Sequence, residues 1–174
     1  MYVYLDLSQH EPNTGNTKGK TSWNKKKISG VRLSYNELTS LDGLGEMLSE
    51  VMHDPYNNLH FLDISHNRLT SIESELAKFV NLAVVYLHGN CLPNLRSVAV
   101  LNDCKNLKKV TLHGNPSYFL SLPSEDDEKA AAEPVKKNAP SLEADPWYRV
   151  GITWMLRDTL LHSIDFVPIT PKDR

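Results

Sequence analysis

Cysteine is scarce in this chain of 174 residues: only Cys91 and Cys104 are present, and they lack CxxC spacing. Two thiols form at most one bridge, so neither a disulfide framework nor a zinc cage is available, and both read as reduced and structural. Long hydrophobic runs are missing as well. The apolar stretches span only a few residues, and positions 1–10 carry neither a basic leader nor a signal-like apolar core. A cytoplasmic protein without membrane attachment is therefore expected. An excess of one charge is also lacking: 19 Lys plus Arg against 21 Asp plus Glu leave a net charge of -2. Nucleic acid or acidic lipid would then need a local basic patch, because the chain as a whole offers no attraction. What is present, 40% hydrophobic and 23% charged residues in one domain's length, suffices for one continuous core.

The interior is periodic. Aligned on asparagine, the segments 28–38 (ISGVRLSYNEL), 59–69 (LHFLDISHNRL), 82–92 (LAVVYLHGNCL) and 107–117 (LKKVTLHGNPS) share the pattern LxxLxLxxN, with Ile, Val and Leu interchanging. Asn36, Asn67, Asn90 and Asn115 are separated by 31, 23 and 25 residues. That is close to the period of leucine-rich repeats, with an insertion in the first interval. A short strand alternates its side chains between two faces, so the fourth and sixth positions point into one interior. Three apolar ladders follow: Ile28, Leu59, Leu82, Leu107; Val31, Leu62, Val85, Val110; and Leu33, Ile64, Leu87, Leu112. Each asparagine ends its strand at a turn, where its amide is expected to bond backbone groups that the turn leaves without ladder partners.

Between strands the text turns helical. Leu44, Met47, Leu48 and Val51 stand at helical spacing before Asp54-Pro55, and shorter runs cover 73–80 and 95–101. The expected architecture is an α/β leucine-rich repeat solenoid of about five coils, with a parallel concave sheet and short helices on the convex side. Such a stack exposes apolar surface at its ends and needs caps. Residues 147–174 supply one: Asp145-Pro146 reads as a helix start, Trp147, Val150, Trp154, Leu156 and Leu160 recur at roughly helical intervals, and LHSIDF (161–166) repeats the strand pattern. The organisation is thus an N-terminal arm (1–27), repeats (28–116), an insertion (117–146) and a cap (147–174). The insertion, rich in Ser, Pro, Ala and charge, reads as a mobile solvated loop. In the arm, Val3, Leu5 and Leu7 alternate as in a strand, and Lys18, Lys20, Lys25, Lys26 and Lys27 form a basic stretch able to contact phosphate or an acidic partner.

Chemistry finds little footing. The stretch 15–21 (GNTKGKT) resembles a phosphate loop but is one residue short and leads to a repeat strand, not a helix, so nucleotide binding is not expected. His88 and His113 share the seventh position of adjacent repeats and should stand about 5 Å apart on the concave face. Their row continues with Ser65 and Ser34 one way and Val167 the other, which leaves a metal short of ligands. No nucleophile occupies a strained turn motif, so no enzyme activity and no cofactor are expected.

The concave face is the informative surface. Its third-position row runs Gly30, Phe61, Val84, Lys109, Ser163, and its fifth-position row Arg32, Asp63, Tyr86, Thr111, Asp165. Phe61, Val84 and Tyr86 cluster at the centre with charge around them, the usual build of a protein interface, although Phe61 and Val84 also suit simple cross-strand packing. Partner contacts are expected from Arg32, Phe61, Asp63, Val84, Tyr86, His88, Lys109, Thr111 and His113.

The segments 62–90, 107–116 and 148–174 together resemble the family of leucine-rich repeat-containing protein 51, and EPNTG (11–15) resembles its pre-repeat segment. The likeness spans nearly the whole chain outside the insertion, which is longer than that family's pattern. The ending from Tyr148-Arg149 to Leu160 and Ile164-Asp165 is also similar to the cap shared by the leucine-rich light chain of outer-arm dynein and the A-prime protein of the U2 spliceosomal particle. The resemblance implies a non-catalytic scaffold of the ciliary or flagellar axoneme, a monomer within a larger assembly, that binds another axonemal protein or tubulin. Its alternative is a ribonucleoprotein adaptor, for which the lysine-rich arm is the one supporting feature.

Overall fold

The computed structural model describes residues 2–4, 28–72, 74–116 and 148–173. Its seven strands form one sheet in chain order: β1 (Tyr2–Tyr4), β2 (Gly30–Arg32), β3 (Phe61–Asp63), β4 (Val84–Tyr86), β5 (Lys109–Thr111), β6 (Ser163–Ile164) and β7 (Val167–Pro168). Neighbours from β1 to β6 run parallel, and β7 returns antiparallel to β6. The chain is a leucine-rich repeat solenoid. Register follows the repeat, with Val31 opposite Leu62, Leu62 opposite Val85, and Val85 opposite Val110. All three apolar ladders are buried, no member being more than 7% exposed.

Two further ladders lock the coils. The second position of each repeat relays a backbone bond to the next: His60 N to Ser29 O, Ala83 N to His60 O, Lys108 N to Ala83 O and His162 N to Lys108 O, at 2.8–3.0 Å. The asparagines stand in a row and satisfy turn groups on both sides, as the pattern requires. Asn90 donates to Leu87 O of its own coil and Ile64 O of the preceding one, and accepts from Leu69 N. Asn67 and Asn115 repeat this scheme, and Asn36 bonds Leu33 O and Ser34 O. The turn also fixes the residue before each asparagine at positive φ: Tyr35 at 59°, His66 at 53°, Gly89 at 68° and Gly114 at 71°. Two of these four carry side chains, and the conformation aims them at the open face.

On the convex side, α1 (Leu44–Val51) matches the helical spacing, buries Leu44 and Leu48, and leaves Val51 39% exposed. A second short helix, α2 (Pro55–Asn58), starts at Pro55 with Asp54 as its N-cap. The runs after β3 and β4 wind as tighter 3-10 turns, Ser74–Lys78 and Leu95–Asp103. In the cap, α3 spans Tyr148–Met155 and buries Tyr148 and Ile152, with Leu156 following. The expected stripe through Trp154 and Leu160 is therefore one phase off: Trp154 is 66% and Leu160 56% exposed, because the i, i+4, i+8 set starts at Tyr148.

The strand expected in the cap, β6, is present but short. At Asp165 and Phe166 the chain takes two successive positive φ values, 49° and 66°, and folds back as β7. Val167 consequently pairs with Ile164 in a hairpin, so the seventh-position row ends at His113, contrary to the repeat alignment. Trp147, the lysines of the basic stretch and the insertion lie outside the described residues. No helix among the described residues is long and apolar enough to cross a membrane.

Candidate functional site

Strand alternation puts Phe61 and Val84 (third position) and Arg32 and Tyr86 (fifth) on the open face of β2 to β4, with Lys109 beside them on β5. The rings touch. Phe61 meets Tyr86 edge to face at 5.2 Å between centroids, and Tyr86 meets Phe166 at 5.3 Å. The Arg32 guanidinium lies 5.8 Å from the Phe61 centroid. Phe166 occupies a position that the alignment assigns to the core, yet it is 61% exposed. The hairpin after β6 swings it onto the open face.

A second track runs along the strand ends. Tyr35 stacks on His66 at 4.3 Å, His66 meets His88 edge-on at 5.1 Å, and His88 stacks on His113 at 4.6 Å and 8°. The spacing of the last pair agrees with strand geometry. Each ring of that pair is oriented from within the chain: His88 Nδ1 sits 2.8 Å from Thr111 Oγ1, and His113 Nδ1 is 3.0 Å from Asp165 Oδ1. A carboxylate only accepts, so His113 donates from Nδ1 and turns Nε2 outward. Burial, followed by the neighbouring His113 and His66, holds the His88 pKa below its ordinary value.

Asp63 and Thr111 contribute differently from the other seven expected contact residues. Both are buried, at 9% and 1% exposure. Asp63 accepts from Ser65 N and Ser65 Oγ, and Thr111 orients His88, so both position the face and offer little to a partner. Asp165 is likewise consumed: it accepts from Leu112 N, His113 N and the Tyr148 hydroxyl. The sequence reading missed Tyr35, His66 and Phe166. For Tyr35 and His66 the signal was the eighth repeat position, which demands positive φ and throws any side chain it carries outward, whereas Phe166 stands at the sixth position and reads as core. Among the described residues, no three His, Cys, Asp or Glu side chains gather as a metal site would require. An open groove of about 490 Å³ at the cap, floored by Leu156 and Leu161 and walled by Trp154 and Arg157, is a separate concavity.

Comparison with known proteins agrees with this architecture. A family profile described as leucine-rich repeats (2 copies) matches residues 57–97. Leucine-rich repeat-containing protein 51 of Pan troglodytes is 34% identical over 173 residues, covering 92% of this chain and 88% of that protein. The chain belongs to the leucine-rich repeat-containing protein 51 family. The Homo sapiens member of that family is 38% identical over 117 residues, 67% of this chain and 60% of its own length. A chain in the crystal structure of the Drosophila melanogaster SNF/U2A' complex superposes with a TM-score of 0.58 at 24% identity, covering 84% of this chain and 64% of its own, which shows the shared fold. Leucine-rich repeat families supply protein–protein interaction scaffolds, and an exposed ring cluster on an open sheet is the corresponding feature here.

Proposed function

We propose that the protein is a non-catalytic scaffold of the ciliary or flagellar axoneme that grips another axonemal protein or tubulin with its concave face. One observation carries the binding role: Phe61, Tyr86 and Phe166 form a continuous aromatic track on a face that no other described element covers. Exposed apolar clusters of this kind stabilise complexes, since a folded monomer gains little from them. Around the track, Arg32, Val84, His88, Lys109 and His113 supply the rim, and the lysine-rich arm (Lys18, Lys20, Lys25, Lys26, Lys27) is a second contact. Placement in the axoneme is supported by the likeness of the cap to that of the outer-arm dynein light chain.

Proximity labelling from the tagged protein in ciliated cells tests the reading. Axonemal proteins should dominate the labelled set. Enrichment of splicing factors would instead favour the ribonucleoprotein adaptor, for which RNA binding should weaken steeply with salt and vanish when Lys25, Lys26 and Lys27 are neutralised.

A further inference from the structure

The charge on the concave face is unevenly spent. The carboxylates that reach it, Asp63 and Asp165, are both engaged within the chain, by Ser65 and by Leu112, His113 and Tyr148 respectively. On the cationic side, Lys109 is exposed at the start of β5, and no ion pair holds its ammonium group among the described residues. At the opposite ends of the strands stands the imidazole row His66, His88, His113. The apolar track lies between these two rims. An exposed apolar floor beside an exposed ammonium group, with the face's own carboxylates hydrogen-bonded inside the chain, is complementary to one kind of occupant.

We propose that the concave face accepts an acidic, amphipathic segment of a partner protein. Its apolar side chains rest on Phe61, Val84, Tyr86 and Phe166, and its carboxylates face Lys109. This rests on the scaffold reading and adds the chemistry of the partner.

The test is a selection of random displayed peptides of about 16 residues, long enough for an amphipathic helix, on the full chain, with counter-selection on a Tyr86→Ala, Phe166→Ser variant. Recovered sequences should combine Asp or Glu with Leu, Phe or Trp. They should lose about tenfold against Lys109→Glu, whose melting should match the parent because the site is exposed. Basic or neutral peptides, indifference to the charge reversal, or no peptide that tells the parent from the counter-selected variant would each overturn the proposal. If axonemal partners found by proximity labelling still require Tyr86 while the selected peptides are basic, the assigned chemistry fails and the scaffold reading stands.

Discussion

Asn90 makes three bonds to backbone groups of two coils from a position only 4% exposed. Asn90→Ala leaves Leu69 N without its acceptor, while Ile64 O and Leu87 O keep the amides of Asn67 and Asn115, so a loss of about 2 kcal/mol is expected by urea denaturation. Asn36, partly exposed at the first repeat, should lose less. The glycines of the turns separate two effects. Both Gly89 and Gly114 hold positive φ, but a Cβ at Gly89 would stand 2.6 Å from His66 Nδ1, whereas at Gly114 the nearest atom is 3.4 Å away. Gly114→Ala should cost about 1 kcal/mol of backbone strain, and Gly89→Ala should cost more and displace His66, visible as a shifted imidazole resonance. His88 binds its proton less readily folded than unfolded. The unfolded chain therefore takes up protons first as pH falls through about 6.5, and stability drops from there down to the lower folded value, with nothing lost above. Asp173 acts lower: Arg149 holds its carboxyl at about 2, so its contribution is present above about 4 and disappears between there and about 2. Urea midpoints at pH 7.5 and 5.5 should differ in the parent and differ less in His88→Gln.

At the scale of elements, the strands were legible because their period is two and their positions were fixed by asparagine. Val31, Leu62, Val85 and Val110 needed only alternation and a shared interior to be placed. The convex segments were less so. Residues 95–101 look helical by spacing but wind as a 3-10 turn, since a short connection in a curved stack follows the curvature before its own propensity. The last repeat was least legible. LHSIDF keeps the strand pattern, yet two successive positive φ values turn the chain back at Asp165 and Phe166, and Phe166 leaves the core for the open face. Asp165 then caps the preceding turn, its Oδ1 accepting from Leu112 N as Asn115 Oδ1 accepts from Leu92 N. Asp165→Ala should destabilise the cap by about 3 kcal/mol and release Phe166 from Tyr86, whereas Asp165→Asn, which keeps the accepting oxygen, should recover much of the loss. Another element-level constraint is Gly45 in α1, where a Cβ would overlap the Tyr56 hydroxyl. Gly45→Ala should lower the melting temperature despite its better helix propensity.

For the whole molecule, core and open concave face are separate surfaces of the same strands. The fourth and sixth positions hold the coils together, and the third and fifth present rings outward, so sequence alone separated scaffold residues from candidate contacts. It did not separate outward residues that stay open from those, like Asp63 and Thr111, that are spent inside the face, because that difference lies in side-chain hydrogen bonds within the face. The most direct measurement is therefore paired melting and partner capture for Phe61→Ser, Tyr86→Ala, using an axonemal partner found by proximity labelling. The expected result is a modest fall in melting temperature, from about 1 kcal/mol of lost ring contact, with capture abolished. Capture that survives the double substitution would contradict the assignment of the concave aromatic track as the binding surface.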